Sequence, residues 1–454
     1  MDYQSFIAGK HFRPVEAGFA YRCEQEWLFD YQQACVEWAC RRGKAALFLD
    51  TGLGKTNCEL SWAKAVEEKT KKPVLILAPL CVSIQIQQEA ERFGFTVHGA
   101  RSHSDVKERG VYVTNYENLH NMDCGAFVGV VLDESSILKG LDGKLRKFIT
   151  ESFAQTPYRL SASATPSPND YMELGTQTEF LGIMTQTEML ATFFVHDGGD
   201  TANWRLKGHG QRKFFEWMAS WAVVMRDPSV YGFAKKPDLP PLHIHPVVIE
   251  SGQTDGLLPA LAQKLSERQE ARRDTVEQRC KAAAEIANNA DGPVLLWCNR
   301  NDEGDLLESL IHGAVQVSGS DKQKDKEDRI MGFTEGRYRV LVTKPKIAGF
   351  GMNWQHCSTM IFVGLSDSWE QYYQAIRRCW RFGQKNEVNV YVVTADIEGM
   401  VVENIRRKDD QSETMIAEMA KIAKDFFNDY SMAANNLRAY QPAKQAKLPA
   451  FIRG

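Results

Sequence analysis

The sequence predicts an α/β protein made of two tandem lobes, each a mostly parallel sheet flanked by helices. Apolar runs of strand length alternate along the chain with stretches whose apolar residues have helical spacing. This strand, loop and helix pattern first occurs near residue 50 and starts again at Gly292. The chain has 454 residues, which is too long for one compact core. These three observations together predict the two-lobe architecture.

The composition restricts the class of protein. Hydrophobic residues make up 43% of the chain, yet no apolar run approaches the length of about 18 residues that a membrane span needs. The start, "MDYQSFIAGK", lacks the basic and apolar regions of a secretion signal. The ten cysteines form no C-x-x-C pair, which favours reduced thiols and a cytoplasmic location. We therefore expect a cytoplasmic monomer without membrane contact.

The charge balance limits how the chain meets nucleic acid. Its 55 basic and 58 acidic residues give a net charge of −3, which excludes a polycation that coats nucleic acid. Any nucleic-acid contact is therefore expected in a local groove.

Breaks in the pattern suggest five segments. The Pro-rich stretch "KPDLPPLHIHP" is the predicted boundary between the lobes, and its His243 and His245 lack the partners of a metal site. The predicted segments are a leader at 1–20, lobe 1 at 20–245 with a helical aromatic insertion at about 190–235, a linker and charged helix at 246–284, lobe 2 at 285–410, and a C-terminal helix with a flexible basic tail at 411–454.

The stretch "LFLDTGLGKT" is close to the phosphate-binding pattern G-x-x-x-x-G-K-[ST], with Leu49 in the place of the first glycine. An apolar strand precedes it and a helix follows it, as such a loop requires. Lys55 can reach the β and γ phosphates of ATP, and the Thr56 hydroxyl can hold Mg²⁺. The alternative is a chance G-K-T at a helix start. The predicted nucleotide-binding residues of the loop are Thr51, Gly52, Leu53, Gly54, Lys55 and Thr56.

A second apolar strand, "FVGVVLDESS", ends in the carboxylates Asp133 and Glu134. Parallel sheets bind ligands at the carboxyl ends of their strands, so these side chains should lie beside the phosphate loop. Asp133 is the predicted Mg²⁺ ligand together with Thr56, and Glu134 is predicted to orient the attacking water. A solvated acid after a strand is the alternative, and the phosphate loop upstream makes it less favoured.

Three further strands close in polar residues, in "PVLILAPL", "GVYVTNYENL" and "YRLSASATPSPND". Together with the phosphate loop and "DESS", in this order, they resemble the first RecA-like lobe of a superfamily-two helicase. The resemblance implies that Ser163 and Thr165, in the S-A-T-P segment, couple the nucleotide site to nucleic acid.

The second half contains A-G-x-G-x-N from Ala348 to Asn353, then S-D-x-W, then Q-A-x-x-R-x-x-R-x-G-Q from Gln374 to Gln384. These motifs resemble the Swi/Snf-type ATPases, which translocate on DNA, and a compact phage or bacterial form of them. Arg378 and Arg381 lie three apart, on one face of a helix, and would act across the cleft as arginine fingers. The alternative for "RRCWR" is a solvated basic helix face.

The resemblance also implies the remaining site residues. Gln32, in "FDYQQACVEW", is the candidate adenine reader because its amide matches the edge of the base. Gly351 would bind nucleotide, and Asn353 and Gln374 would couple the lobes. The implied DNA-binding residues are Pro79, Thr114, Asn115, Thr343, Lys344 and Trp369.

Four positions depart from the family pattern. The family commonly has an acid where Arg377 stands and a histidine where Trp380 stands, and it has glycine or alanine then histidine where Ser135 and Ser136 stand. These departures concern the coupling of hydrolysis to movement more than hydrolysis itself.

A segment rich in bases and aromatics precedes the lobe boundary. Its aromatic and methionine residues have helical spacing, which favours a core stripe over a base-stacking platform. These residues are Phe214, Trp217, Met218 and Trp221. The basic residues that could face DNA are Arg205, Lys207, Arg212 and Lys213.

The sequence thus predicts an ATP- and Mg²⁺-dependent motor that translocates on double-stranded DNA, with partner proteins supplying sequence specificity. We expect it in a bacterial or phage-infected cell, associated with the nucleoid. Two alternatives remain open: a strand-separating DNA or RNA helicase, and a non-hydrolysing, nucleotide-gated module that recruits a partner to DNA.

Overall fold

The structure is a computed structural model, and its two lobes are each built on one parallel sheet. It describes residues 17–140, 143–167, 170–197, 200–234, 239–250, 254–255, 258–259, 273–348, 352–366, 368–396 and 399–439. Among these residues, no helix is both long and apolar enough to cross a membrane.

Lobe 1 contains a seven-stranded sheet in the order β3-β4-β2-β5-β6-β1-β9, and each pair of neighbours is parallel. Its strands are β1 (Lys44–Leu49), β2 (Val74–Ala78), β3 (Val97–Gly99), β4 (Val111–Asn115), β5 (Gly129–Leu132), β6 (Tyr158–Ala162) and β9 (Ala222–Met225). Because all strands run the same way, the residues that follow β1, β2, β5 and β6 meet at one edge of the sheet.

Helices cover both faces of this sheet and bury one apolar cluster on each side. They are α1 (Asp30–Arg42), α2 (Lys55–Thr70), α3 (Leu80–Arg92), α4 (Ile137–Gly140), α5 (Gly143–Ser152), α6 (Leu174–Leu181), α7 (Gln186–Phe193) and α8 (Gln211–Ala219). A short antiparallel hairpin of β7 (Phe194–Asp197) and β8 (Asp200–Leu206) connects α7 to α8.

Lobe 2 contains a six-stranded parallel sheet in the order β10-β17-β16-β13-β15-β14. Its strands are β10 (Leu242–Ile249), β13 (Val294–Cys298), β14 (Ala314–Val317), β15 (Val340–Thr343), β16 (Thr359–Val363) and β17 (Val388–Ala395). Its helices are α9 (Val276–Asn288), α10 (Asn301–Leu310), α11 (Gln323–Thr334), α12 (Pro345–Ala348) and α13 (Trp369–Ile376). Apolar clusters again lie on both faces.

Smaller elements complete the described chain. The strands β11 (Thr254–Asp255) and β12 (Leu258–Pro259) form a short antiparallel pair. Single 3₁₀ turns lie at His103–Asp105, Tyr116–Asn121, Cys124–Ala126, Tyr171–Glu173, Gly208–Gly210 and Pro228–Tyr231.

The predicted lobe boundary at residue 245 is wrong. β10 begins at Leu242 and pairs with β17 along its whole length, from Leu242 opposite Val388 to Ile249 opposite Ala395. The Pro-rich stretch therefore leads into β10, which is an edge strand of lobe 2. Pro246 fits in this strand because an edge strand tolerates a residue without a backbone N–H. The charged helix also belongs to lobe 2, since α9 runs to Asn288 and buries Cys280, Ala283 and Ala287 against the sheet.

The aromatic segment is part of the lobe 1 core. Phe214, Trp217, Met218 and Trp221 are all buried in the cluster on one face of the sheet. β9 follows them and extends that sheet beside β1. The helical spacing correctly favoured core packing, but the segment is not an insertion, because it supplies an edge strand of lobe 1.

The C-terminal helix α14 (Gly399–Ala439) connects the two lobes and crosses the predicted boundary at 410. Its first turns bury Val401 and Ile405 in the core of lobe 2. Further along, Met415 and Met419 are buried in the aromatic core of lobe 1. One continuous helix is therefore packed into both lobes. The predicted basic tail at 441–454 and residues 1–16 of the predicted leader lie outside the described residues.

Candidate functional site

The phosphate loop has the backbone shape that its glycines predict. Gly52 and Gly54 have φ values of +85° and +75°, a region that favours glycine. α2 begins at Lys55, so the free N–H groups of its first turn point into the loop. The Lys55 ammonium donates to the Leu49 carbonyl, 3.2 Å away, which holds it over the loop. Leu49 is completely buried at the end of β1, where it packs into the core in place of the expected glycine.

Gln32 contacts the phosphate loop from α1. Its Nε2 donates to the Leu53 carbonyl at 2.8 Å, and its Oε1 accepts from the Phe29 N–H at 2.9 Å. The side chain is 1% exposed, and a Cβ on Gly54 would lie 2.1 Å from it. Both ends of its amide are thus bound to backbone, so Gln32 supports the loop in this arrangement. Its predicted contact with adenine stays a prediction.

The carboxylates Asp133 and Glu134 follow β5 and lie beside the loop, as predicted. Both are buried, and Glu134 Oε2 has no hydrogen-bond partner among the described residues. Glu134 has a φ of +49°, which is rare for a residue with a side chain and costs conformational energy. Burial, followed by the charge of Glu134, raises the pKa of Asp133 to about 7, although Lys55 opposes the shift. This wall of lobe 1 therefore holds two buried carboxylates near Lys55.

A third carboxylate, Glu59, was missed by the sequence reasoning. It lies one turn after Lys55 on α2 and is 1% exposed, next to Asp133. Burial and the neighbouring charge of Asp133 raise its pKa well above the usual range. The sequence feature that could have identified Glu59 is its position, as an acidic residue, on the mostly apolar buried face of α2.

Lobe 2 brings its two arginines to the opposite wall. Arg378 is 4% exposed and donates to the carbonyls of Gln374 at 3.0 Å and Met352 at 3.2 Å. Arg381 donates to the same Met352 carbonyl at 3.3 Å, and its Nε has no partner among the described residues. Burial lowers the pKa of Arg378 to about 10, while the charge of Glu134 across the cleft opposes this. A solvated basic face is excluded for Arg378, which is buried, and Arg381 is half-buried in the same cavity wall.

Both lobes line one cavity of about 340 Å³. Lobe 1 contributes the phosphate loop and the two carboxylates, and lobe 2 contributes Asn353, Gln355 and the two arginines. The residues fit ATP and Mg²⁺: the loop offers backbone donors and Lys55 for phosphate, and Thr56 with Asp133 offers oxygen ligands for a hard cation. Glu134 lines the same space.

A second group of contacts joins the lobes at the predicted coupling residues. Thr165 Oγ1 donates to Glu370 Oε1 at 3.0 Å and accepts from Gln374 Nε2 at 3.3 Å. Lys139 of lobe 1 pairs with the other oxygen of Glu370 at 2.8 Å. Ser163 is fully buried, and its hydroxyl accepts from the Thr165 N–H at 3.1 Å. The structure thus brings Ser163, Thr165 and Gln374 together, while Asn353 lies in the cavity wall.

Asp50, the residue after β1, was also missed. Its carboxylate accepts from the Thr51 N–H at 2.6 Å and from Arg377 of lobe 2 at 2.9 Å. Arg226 approaches it to 3.4 Å and the Tyr373 hydroxyl donates to it. Burial alone would raise the pKa of Asp50, but the two arginines outweigh burial and hold the pKa below its usual value.

Several predicted DNA-binding residues are buried in this arrangement. Trp369 is 2% exposed and its indole N–H donates to Asp409 at 3.2 Å. Thr343 is fully buried and donates to the Val317 carbonyl, and Thr114 is 2% exposed. These three side chains are therefore not accessible to DNA in this arrangement, and their contact with DNA stays a prediction.

The other three predicted DNA residues lie at the carboxyl edges of the sheets. Pro79 precedes α3, and Asn115 Oδ1 accepts the Asn118 N–H at 2.8 Å. Lys344 follows β15 and donates to Asn301 at 2.6 Å. Gly351 lies outside the described residues, so its predicted nucleotide contact stays a prediction.

The basic residues around the aromatic core and the histidine pair have local contacts. Lys207 donates to the carbonyls of Ala191 and Thr192, and Arg212 pairs with Glu216 one helical turn away. In lobe 2, His243 contacts Glu387 at 3.1 Å and His245 contacts Asn389 at 2.8 Å. DNA contact by the basic residues, with Arg205 and Lys213, stays a prediction.

Comparisons with known proteins match parts of the chain. Residues 277–383 match the family "Helicase conserved C-terminal domain". Among curated proteins, the TATA-binding protein-associated factor mot1 of Aspergillus fumigatus is 26% identical over 132 residues, which is 27% of this chain and 7% of that protein. Eukaryotic initiation factor 4A of Dictyostelium discoideum is 31% identical over 107 residues, which is 23% of this chain and 26% of that protein.

Two further matches are with a helicase and with a solved structure. The probable ATP-dependent RNA helicase ddx41 of Dictyostelium discoideum is 28% identical over 115 residues, covering 24% of this chain and 17% of that protein. A solved structure described as "Sulfolobus solfataricus SWI2/SNF2 ATPase core in complex with dsDNA" aligns with a TM-score of 0.42 and 16% identity, over 91% of this chain and 99% of that chain. The matched segments are thus a small part, 7% to 26%, of the curated relatives.

Proposed function

We propose that this protein, which is similar to helicases over part of its chain, is a Swi/Snf-like motor that hydrolyses ATP with Mg²⁺ and uses the energy to translocate on double-stranded DNA. The observation that carries the proposal is the cavity between the lobes, with Lys55, Asp133 and Glu134 on one wall and Arg378 and Arg381 on the other. Phosphate-transferring sites need this combination of a phosphate cradle, carboxylates and movable guanidiniums.

Each wall has a separate part in the mechanism. The phosphate loop binds the triphosphate through backbone N–H groups and Lys55. Glu134, held by its strained backbone, orients the attacking water and accepts its proton. Arg378 and Arg381 stabilise charge on the transferring phosphoryl group when the lobes are closed. Mg²⁺, held by Thr56 and Asp133, would neutralise charge on the phosphate oxygens.

Translocation on duplex DNA requires contacts that tolerate any sequence. We place these contacts on phosphates along the carboxyl edges of both sheets, because a motor that must pass every sequence cannot depend on base edges. Affinity for DNA should then fall steeply with added salt, and sequence specificity would come from protein partners.

The test compares ATP turnover with duplex DNA, single-stranded DNA and RNA side by side. We expect duplex DNA to give the largest stimulation and a bound third strand to be displaced only with ATP. Lys55→Ala should weaken nucleotide binding and turnover, whereas Glu134→Gln should keep ATP binding and lose hydrolysis.

The outcomes separate the alternatives. Separation of plain duplexes without displacement of a third strand would favour a strand-separating helicase. Parental protein that binds ATP and DNA but never releases phosphate would favour the nucleotide-gated recruiting module.

A further inference from the structure

A buried ion pair joins the start of the phosphate loop to lobe 2. Arg377 Nη2 lies 2.9 Å from Asp50 Oδ2, and the two side chains are only 7% and 9% exposed. A buried charge that loses its partner is strongly destabilising, so Arg377 depends on Asp50 when the lobes are together, whereas Asp50 also has Arg226 of its own lobe at 3.4 Å.

On the lobe 1 side, Asp50 is fixed within the first turn of the loop. Its N–H donates to the Met225 carbonyl at 2.9 Å, and its carbonyl accepts from the Leu53 N–H at 3.1 Å. Its carboxylate also accepts the Thr51 N–H. A force on the Asp50 carboxylate is therefore transmitted to the backbone of the loop that carries Lys55.

On the lobe 2 side, Arg377 begins the turn after α13 and directly precedes Arg378. Its guanidinium lies over the Trp380 ring, 4.4 Å from the centroid, which restricts its orientation. The Tyr373 hydroxyl, one helical turn earlier, donates to the same Asp50 carboxylate. The turn that carries Arg378 and Arg381 is thus attached to the phosphate loop at one point.

We propose that Asp50 and Arg377 are positioning residues for ATP hydrolysis. Their ion pair forms as the lobes close and sets Arg378 and Arg381 at the cavity wall opposite Lys55. The inference rests on the proposed function, since it concerns the same site.

The kinetic test uses the full chain with Arg377→Gln, Asp50→Asn and the double variant. A displacement of about 1 Å costs on the order of 100-fold in rate, so we expect kcat to fall by about that factor in each single variant, with little change in KM for ATP. The double variant should be no slower than Asp50→Asn alone, because the two changes remove one interaction. Arg377→Asp should be slower than Arg377→Gln, because it places two carboxylates together.

The matched control is Arg337→Gln, which removes a guanidinium of lobe 2 that pairs with Asp328 and Glu335 at the surface. It should leave kcat at the parental value. Rates that multiply in the double variant, or a rise in KM with kcat unchanged, would overturn the positioning role.

Lobe closure is measured independently of turnover. Spin labels on cysteines introduced at the exposed positions Lys72 and Asp291, one in each lobe, report the distance between the lobes by pulsed electron paramagnetic resonance. The parental chain, treated with the same label, gives the background. We expect Mg²⁺-ATP to produce a closed population in the labelled parental chain, and Arg377→Gln to reduce it.

This measurement separates the two proposals. If the parental chain closes but releases no phosphate, the proposed function fails, and the effect of Arg377→Gln on the distance still decides whether the ion pair holds the lobes closed. If Arg377→Gln closes and hydrolyses ATP as the parent does, the inference is overturned and the proposed function stands.

Discussion

The two walls of the nucleotide cavity are held in place by different means. On lobe 1, the loop shape comes from two glycines with positive φ and from the start of α2, all within a short stretch of chain. On lobe 2, Arg378 and Arg381 are held by the Met352 carbonyl and, through their neighbour Arg377, by lobe 1 itself. The shape of the lobe 1 wall is therefore determined by residues close together in sequence, whereas the position of the lobe 2 arginines depends on closure of the two lobes.

The walls also differ in charge. Lobe 1 places Glu59, Asp133 and Glu134 around a single lysine, and lobe 2 supplies two guanidiniums. Neither wall is balanced alone, because buried carboxylates require cations and buried arginines require anions. We therefore expect nucleotide binding and hydrolysis to be separable. Lobe 1 alone should bind nucleotide, whereas hydrolysis should require both lobes.

The largest effect is expected from the lobe 2 wall. Arg378→Ala or Arg381→Ala removes transition-state charge stabilisation, which for arginine fingers is worth about 10³ to 10⁵ in rate. Nucleotide affinity and DNA binding should change much less. Phosphate release and binding of a fluorescent ATP analogue, measured on the same protein, test this. A variant with parental turnover would show that closure is not required.

An intermediate effect is expected where the walls communicate. Thr165→Val keeps the side-chain volume but removes the hydroxyl that donates to Glu370. Coupling between sites is typically worth about 5- to 150-fold. The factor by which DNA raises the rate of ATP turnover should therefore fall by about that much in the variant, while the rate without DNA stays unchanged. Parallel loss of both rates would mean that Thr165 supports the catalytic wall directly.

A smaller effect tests how lobe 1 holds its loop. Gln32→Leu removes two hydrogen bonds to backbone, worth about 0.5–1.5 kcal/mol each, so nucleotide affinity should fall roughly tenfold. Because the amide supports the loop, the affinities for ATP and for GTP should fall by the same factor. Binding titrations with both nucleotides provide the check, and selective loss of ATP affinity would favour the adenine-reading role.

The smallest effect concerns the carboxylate cluster. Asp133 and Glu59 have raised pKa values in the folded protein, so folding binds protons and stability is lost as pH rises. For Asp133 the loss extends from about pH 4 through its folded pKa of about 7, and Glu59 shifts stability in the same direction. Without nucleotide or Mg²⁺, the Tm should fall over that range. Glu59→Gln should flatten this dependence. An unchanged pH profile would show that Glu59 does not share in the cluster.

The sequence predicted the fold because its signals were local. Apolar runs identified most of the sheet strands, and the shared direction of parallel strands placed Asp133 beside Lys55. The prediction of the lobe boundary was wrong because β10 can be assigned to lobe 2 only from its pairing with β17, which lies more than a hundred residues later in the chain. The edge position of β9 was missed for the same reason.

The site was predicted where motifs carry chemistry and missed where partners come from both lobes. Lys55, Glu134 and Arg378 follow from the spacing of residues. Asp50 and Arg377 are 327 positions apart, and each alone resembles an ordinary charged residue. The burial of Trp369 and the backbone contacts of Gln32 likewise depend on packing that no local pattern records.

The helix α14 limits the mechanical stroke of such a protein. Ile405, anchored in lobe 2, and Met415, anchored in lobe 1, are separated by only about 15 Å of continuous helix. A rigid rod of that length cannot stretch, so wide separation of the lobes must either fray the helix or pull Met415 and Met419 out of the aromatic core. Each extracted side chain costs about 1.5–3 kcal/mol. We therefore expect the lobes to separate only a short distance, and we expect repacking of these side chains to favour the return to the starting arrangement.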